Sequence, residues 1–123
     1  MKLPLEYRWL KAQNFEGFTP WYIVEPEKSE GIRKEYQLET GKDIIPFARR
    51  QDNDVIAGFD IMNGNPTSKV LTVHLTWSGK NESNGYPITK TSENMFDWIK
   101  NVVIPATEDW MSEEDLEDLM DNN

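Results

Sequence analysis

Polar side chains that could do chemistry are concentrated in residues 46–60, PFARRQDNDVIAGFD. Asp52, Asn53 and Asp54 offer closely spaced oxygen atoms of the kind that Ca²⁺ prefers as ligands. An EF-hand loop that begins at Asp52 needs a further oxygen ligand at its fifth position and glycine at its sixth. The chain has isoleucine and alanine there, so the spacing does not fit such a site. We predict neither a metal ion nor a cofactor here or elsewhere in the chain.

A tight turn of the chain accounts for the same polar cluster. Two β-prone runs flank it, and Asn and Asp tolerate the left-handed backbone conformation that short hairpin loops require. We predict an antiparallel hairpin with a three-residue loop, 52–54, in which Gln51 lies opposite Val55 and Phe47 lies opposite Phe59.

The two arginines before this loop are not expected to form a phosphate-binding site. Side chains alternate along a strand, so Arg49 and Arg50 point to opposite faces and cannot hold one phosphate together. One of them is expected to pair with Asp52 or Asp54, and the other to be solvated. We assign Arg49, Asp52, Asn53 and Asp54 to the structure of the turn and hairpin.

His74 and Asp60 are the remaining candidates for catalysis. Alternation places His74 on the same outer face as Asp60 of the neighbouring strand, and a carboxylate can orient a histidine that acts as a general base. The chain has no cysteine, no nucleophilic serine motif and no glycine-rich oxyanion loop to complete such a site. We predict a protein that is not an enzyme. A small-ligand-binding or enzymatic domain around this pair is the weaker alternative.

The elements that carry these residues predict an α+β fold. Three β-rich runs, DIIPFARR, VIAGFDI and KVLTVHLTW, are separated by the turn-forming QDND and MNGNPTS, as in an antiparallel meander. Helices are expected after Pro4, before Gly41, and from a cap at Ser92 to Pro105. The prediction is a central, largely antiparallel sheet flanked by N- and C-terminal helices.

Alternating apolar residues predict which side chains form the core. Apolar residues recur at odd-numbered positions of all three runs, and we expect them to lie on one face of the sheet. The residues expected to be buried together are Phe47, Phe59, Val73 and Leu75, beneath the helix that carries Met95 and Ile99. Trp77 continues the alternation, and we expect it in the core too.

The composition is that of an ordinary globular domain. At 123 residues, with 37% hydrophobic and 28% charged residues, the chain is long enough for one core and too short for two. We predict a single domain over residues 1–123, present as a monomer or a weak homodimer. The lack of cysteine, of a signal-peptide pattern and of a long apolar run predicts a cytoplasmic protein without a membrane span.

Negative charge is concentrated at the C-terminal end. The chain carries a net charge of −9, and residues 107–123 hold eight acids and no base, which leaves 14 acids against 13 bases in residues 1–106. We predict an acidic helix at about 107–121 with Ser112 as a cap and a thin apolar stripe. Such an end repels nucleic acid and anionic lipid, and it attracts a basic protein.

The segment LETGKDIIPFARRQDNDVIAGFDI resembles the central segment of the SUKH superfamily, which includes the Smi/Knr-type cell-wall assembly regulators and bacterial immunity proteins. GFTPWYIVEPE and SENMFDWIKNVV are similar to family segments in the same order, so the resemblance covers most of Gly17 to Val103. Val55 stands where many relatives carry a further acid, and Gly58 where a small or thiol residue is common. The acidic C-terminal helix has no counterpart in the family pattern.

The resemblance implies an α+β domain with helices around an antiparallel sheet, and it implies a function. Bacterial members resemble immunity proteins, which bind and neutralise a cognate polymorphic toxin, often a nuclease. We therefore expect a protein partner, a basic toxin domain, that is blocked by occlusion. A regulatory or adaptor role of the cell-wall assembly type is the alternative. The residues expected to bind the partner are Tyr86, Glu82, Glu113, Glu114, Glu117 and Asp118.

Overall fold

A computed structural model describes residues 2–80 and 87–121, and its central element is an antiparallel sheet of five strands in the order β1-β2-β3-β4-β5. The predicted meander and the α+β class are confirmed, with one further strand on each side of the three expected ones. The elements are α1 (Leu5–Ala12), β1 (Trp21–Ile23), a 3-10 turn (Pro26–Lys28), α2 (Glu30–Thr40), β2 (Ile44–Arg50), β3 (Val55–Met62), β4 (Asn65–His74), β5 (Ile88–Ser92), α3 (Met95–Trp98), a π-helical segment (Ile99–Val103), α4 (Ile104–Trp110) and α5 (Glu113–Asp121).

The β3–β4 hairpin turns through two residues, Asn63 and Gly64, both with positive φ (53° and 78°). This is the backbone that Asn-Gly favours in two-residue hairpin loops. The loop pairs odd-numbered residues of β3 with even-numbered residues of β4, so Phe59 lies opposite Val70. The prediction that odd-numbered residues of β3 and β4 share a face is therefore wrong.

The β2–β3 hairpin also differs from its predicted register. Arg49 lies opposite Ile56, so the loop contains four residues, 51–54, and not three. An irregularity between Pro46 and Ala48 leaves Phe47 as an extra residue in β2. Ile45, and not Phe47 as predicted, therefore lies opposite Phe59. An extra residue in one strand shifts the alternation by one position. Phe47 therefore still reaches the face that carries Phe59.

One face of the sheet packs against α1 and α3. The rings of Phe47 and Phe59 stack with centroids 4.5 Å apart, and Trp98 of α3 meets Phe47 edge-on at 5.0 Å. Tyr7 of α1 contacts both phenylalanines at 5.9 Å. Met95 is buried in the same cluster and Ile99 packs against it, as predicted. Offset and edge-to-face rings add specific attraction to the burial of this apolar area.

The opposite face packs against α2. Ile32 and Tyr36 of this helix cover a second apolar cluster of the sheet: Ile44, Ile56, Leu71, Val73 and Leu75. Val73 and Leu75 are thus buried, but beneath α2 and not beneath the helix that carries Met95. The reason is the two-residue β3–β4 turn, which sends the odd-numbered residues of β4 to this side.

The C-terminal helical region begins and ends elsewhere than predicted. Asn94 is the N-cap, since its Oδ1 accepts a hydrogen bond from the backbone N–H of Asp97 at 2.9 Å, while Ser92 is the last residue of β5. The helix does not stop at Pro105. After the π-helical segment Ile99–Val103, this proline lies in the first turn of α4. The carbonyl oxygen of Asn101, four residues before it, instead accepts a hydrogen bond from Lys90 Nζ at 3.1 Å.

Candidate functional site

An open apolar groove of about 760 Å³ lies between the C-terminal helices and the chain just before β1. Its principal walls are Phe18, Trp110, Met111, Leu116 and Leu119, with Glu113 and Asp115 beside them. We call this surface the acidic groove. Sequence reasoning found the apolar stripe of α5 but not Phe18 or Trp110, because their meeting depends on the tertiary fold.

A serine N-cap starts α5, the helix that forms one wall of the acidic groove. The Ser112 hydroxyl accepts a hydrogen bond from the backbone N–H of Asp115 at 3.1 Å and donates one to the Asp115 carboxylate at 2.9 Å. Asp115 lies three residues after the cap, so its carboxylate is close to the N-terminal end of the helix, where the helix dipole favours an acid. The predicted cap at Ser112 is confirmed. The helix predicted at about 107–121 begins later, because 107–110 belong to α4 and α5 runs over Glu113–Asp121.

The apolar stripe of α5 is poorly covered. No described residue of α5 is buried, and Leu116, Leu119 and Met120 are 49%, 52% and 64% exposed. Met111, just before the helix, is 68% exposed. Isolated exposed apolar residues are common, but a run of them along one groove is typical of an interaction surface.

The charge of α5 works against the helix. Six of its nine residues are acids, and none is basic. Glu113 and Glu117, and likewise Glu114 and Asp118, are four residues apart, a spacing at which like charges destabilise a helix. A helix of nine residues is marginal by itself. The four predicted partner-binding acids of this helix are all exposed, so a cationic partner could relieve their repulsion.

A buried pair of carboxyl groups on α2 holds the chain that follows β4. Glu39 is completely buried, and its carboxylate accepts hydrogen bonds from the N–H and the hydroxyl of Thr76 at 3.0 and 2.8 Å and from the N–H of Trp77 at 3.1 Å. Glu35 accepts one from the N–H of Gly79 at 2.9 Å. We call residues 76–79 the anchored loop.

The two carboxyl groups interact so that their pKa values move apart. A hydrogen bond to Glu39, together with burial, raises the pKa of Glu35, so Glu35 takes up a proton before Glu39 does as the pH falls. Burial alone would raise the pKa of Glu39, but the hydrogen bonds from Glu35, Thr76 and Trp77 outweigh it and lower that pKa. Donors of the anchored loop thus stabilise the ionised form of Glu39.

Sequence reasoning missed this pair, although the pattern was present. Ile32, Glu35, Tyr36 and Glu39 recur at i, i+3, i+4 and i+7, so two acids occupy the apolar face of a helix. Acids are almost never fully buried unless they are paired. Their position on that face points to a structural or functional partner elsewhere in the chain.

Trp77 is not in the core, contrary to the prediction. Its side chain is 47% exposed, and its φ of 57° lies in the left-handed region that a tryptophan rarely adopts. The hydrogen bond from its N–H to Glu39 holds this conformation. The alternation ends at Leu75, because β4 itself ends at His74.

The turn residues lie at the end of the β2–β3 hairpin. Arg50 donates two hydrogen bonds to the Asp52 carboxylate, both at 2.9 Å, and Asn53 Oδ1 accepts one from the N–H of Val55 at 2.9 Å. Asp54 is exposed. Arg49, also assigned to the turn and hairpin, lies in the hairpin strand β2, between Ile56 of β3 and Tyr22 of β1. Among the described residues, its guanidinium forms no ion pair.

His74 and Asp60 are too far apart along β3 to form a catalytic pair. His74 lies opposite Val55, whereas Asp60 lies opposite Ile44, near the other end of the same strand. Five residues of a strand span about 16 Å. The predicted neighbourhood is wrong because it rested on alternation without the register. Within residues 2–80 and 87–121, no group of three potential ligands could hold a metal ion.

Two predicted partner-binding residues, Glu82 and Tyr86, lie outside the described residues. In the described part of the chain, no helix is both long and apolar enough to cross a bilayer.

Comparisons of the chain with protein-family models, with curated proteins and with solved structures gave no match.

Proposed function

We propose that this chain is a non-enzymatic protein-binding domain that takes a basic partner at the acidic groove. The observation that carries the proposal is α5, a short helix of self-repelling acids whose apolar stripe is about half exposed. A cationic partner with apolar side chains would satisfy both features at once. It would cover the stripe and neutralise the repulsion.

The resemblance to SUKH immunity proteins suggests what the partner is. We propose a toxin domain, neutralised because the bound domain can no longer reach its own substrate. A toxin that acts on nucleic acid carries a basic surface to hold phosphates, and that surface is complementary to the acidic groove.

The charge of the acidic groove is expected to act mainly on the rate of encounter. Exposed charges gain little energy once docked, but opposite charges widen the range of approaches that lead to a complex. This effect falls as salt shortens the Debye length to about 8 Å at physiological ionic strength. The exposed apolar residues, Leu116 and Leu119 among them, are expected to contribute to the lifetime of the complex.

The experiment first searches the genes beside that of this chain for a toxin-like C-terminal domain, and then measures association with the domain found. Replacing Glu113, Glu114, Glu117 and Asp118 by Gln or Asn changes the net charge from −9 to −5. We expect binding about ten-fold slower at low ionic strength, and a smaller effect at physiological salt. Stopped-flow fluorescence at two salt concentrations measures both rates.

A matched variant separates position from total charge. It neutralises four exposed acids outside the acidic groove, Glu27, Glu30, Asp54 and Glu93, and has the same net charge of −5. This variant should keep most of the association rate. Equal slowing in both variants would show that only the total charge matters. If the toxin-like domain does not bind the chain at all, the proposal is refuted.

A further inference from the structure

A second cleft, of about 520 Å³, opens on the α2 side of the sheet beside the edge strand β1. Tyr22, Arg49 and Trp77 line it, together with Val24 and Ile32. Tyr22 and Arg49 are direct cross-strand neighbours, which sends both side chains to the same face. Trp77 comes from the anchored loop. We call this surface the arginine cleft.

In the described part of the chain, the guanidinium of Arg49 lacks the carboxylate partner that Arg33 and Arg50 have. Arg33 holds Asp43 through Nε and Nη2 at 2.7 and 2.6 Å, and Arg50 holds Asp52 through the same two nitrogens at 2.9 Å. The Nε of Arg49 is buried and has no hydrogen-bond partner among residues 2–80 and 87–121. A buried donor without an acceptor is costly, most of all on a charged group.

The charges around Arg49 select a ligand with a single negative charge. Lys28 and Glu25 also line the arginine cleft, and they pair with each other at 3.1 Å. Among the described residues that line the cleft, the unpaired charge is therefore that of Arg49. The chain as a whole is strongly acidic and repels polyanions, so one carboxylate fits this site better than a phosphate chain.

Two half-exposed aromatic side chains flank this charge. Tyr22 is 39% exposed, and Trp77 projects from a left-handed backbone that Glu39 holds in place. Tryptophan, tyrosine and arginine are the residue types most enriched at the energetic centres of protein interfaces. A rigidly held Trp77 loses little freedom when a ligand packs on it.

We infer that the arginine cleft binds an aspartate or glutamate side chain of a protein partner, next to an apolar residue that packs on Tyr22 and Trp77. The carboxylate takes the two-nitrogen edge of Arg49, after the guanidinium turns to present Nε to the cleft. A planar, two-point contact of this kind is the geometry that Arg33 and Arg50 already use within the chain. The arginine cleft carries a positive charge, unlike the acidic groove. The inference about it does not depend on the function proposed for that groove.

The experiment uses two blocked peptides, acetyl-Gly-Phe-Glu-Gly-amide and its glutamine counterpart, titrated into the ¹⁵N-labelled full chain. NMR follows the Nε–H signal of Arg49 and the indole N–H signal of Trp77. We expect both signals to shift with the glutamate peptide, and the glutamine peptide to bind about ten-fold more weakly. Equal binding of the two peptides would overturn the inference. So would the absence of a shift with either peptide at a concentration of about 10 mM.

Matched variants test the role of Arg49 itself. Arg49→Met keeps the apolar stem and should weaken the glutamate peptide about ten-fold, whereas Arg50→Met makes the same charge change and should leave binding unaltered. Arg49→Lys keeps the charge but not the planar edge, so it should also weaken binding. It replaces Arg49→Met in the test if the methionine variant does not fold. Equal losses from Arg49→Met and Arg50→Met would refute the assignment.

Two further measurements distinguish a protein carboxylate from a free small acid, and the arginine cleft from the acidic groove. Free 3-phenylpropanoate should bind more weakly than the glutamate peptide, and tighter binding of the free acid would replace the protein partner with a small aromatic acid. The variant neutralised on α5 should bind the peptide at least as well as the wild type. A loss there would show that the peptide occupies the acidic groove and would overturn the inference.

Discussion

Glu39 is predicted to be the most sensitive single polar residue of the fold. It is fully buried, and it accepts three hydrogen bonds from Thr76 and Trp77. A hydrogen bond to a charged group contributes about 1.5–3 kcal/mol. Thr76 and Trp77 are exposed, so water can replace part of what a substitution removes. We expect Glu39→Ala to lower the free energy of unfolding by about 3–5 kcal/mol, a large part of the total for a small domain.

Glu39→Gln separates hydrogen bonding from volume. The amide keeps one oxygen for the two donors of Thr76, but its NH₂ group then faces the N–H of Trp77, and two donors cannot bond each other. We expect a loss of about 2–3 kcal/mol from this substitution. Urea unfolding at pH 7 measures it, provided that the slope with denaturant does not change.

Hydrogen exchange and a matched control complete the test of Glu39. The amides of Thr76 and Trp77 should exchange faster in Glu39→Gln, because the anchored loop opens without global unfolding. Glu27→Gln, on an exposed acid of similar charge, should be neutral within about 0.5 kcal/mol. If Glu39→Gln is equally neutral, or if the Trp77 amide keeps its protection, the carboxylate does not hold the loop.

The other predictions concern the proton of the acidic pair and the packing of the sheet. Because the folded pKa of Glu35 lies above its ordinary value, its contribution to stability is complete at low pH and is lost as the pH rises through the folded pKa. Glu35→Gln cannot ionise, so the fall in unfolding free energy above about pH 4.3 should be smaller than in the wild type, and an identical pH profile would count against the raised pKa of Glu35. Phe59→Ala should lower the unfolding free energy by about 3–5 kcal/mol, because Phe59 is fully buried against Phe47 and Tyr7. An unchanged urea midpoint for this variant would contradict the packing described here.

Local patterns in the sequence were enough to predict the three central strands and most of the helices, in their order along the chain. Alternating apolar residues and turn-forming segments predicted the meander, and Ser112 with Asp115 predicted the start of the last helix. Gly41 ends α2 in a left-handed conformation (φ 72°), as a glycine after a helix does. These features depend on residues within a few positions of one another, so the sequence carries them directly.

The faces of the sheet needed the tertiary structure. The side-chain alternation of a strand has a period of two, so one residue more or less in a turn or a bulge exchanges the faces. The Asn63-Gly64 turn and the inserted Phe47 each make such a shift. The Asn-Gly pair could have fixed the first shift from the sequence, since it favours two-residue loops. Nothing comparable marks the irregularity at Phe47.

The candidate sites were decided almost entirely by long-range contacts. Glu39 meets Thr76 across 37 positions of the chain, and Tyr22, Arg49 and Trp77 come from three separate elements. The acids of α5 were visible in the sequence, but Phe18, which faces them across the acidic groove, was not. Charge and helical periodicity are properties of neighbouring residues, whereas a cleft forms only where distant segments pack. Its lining therefore follows from the register and topology of the sheet.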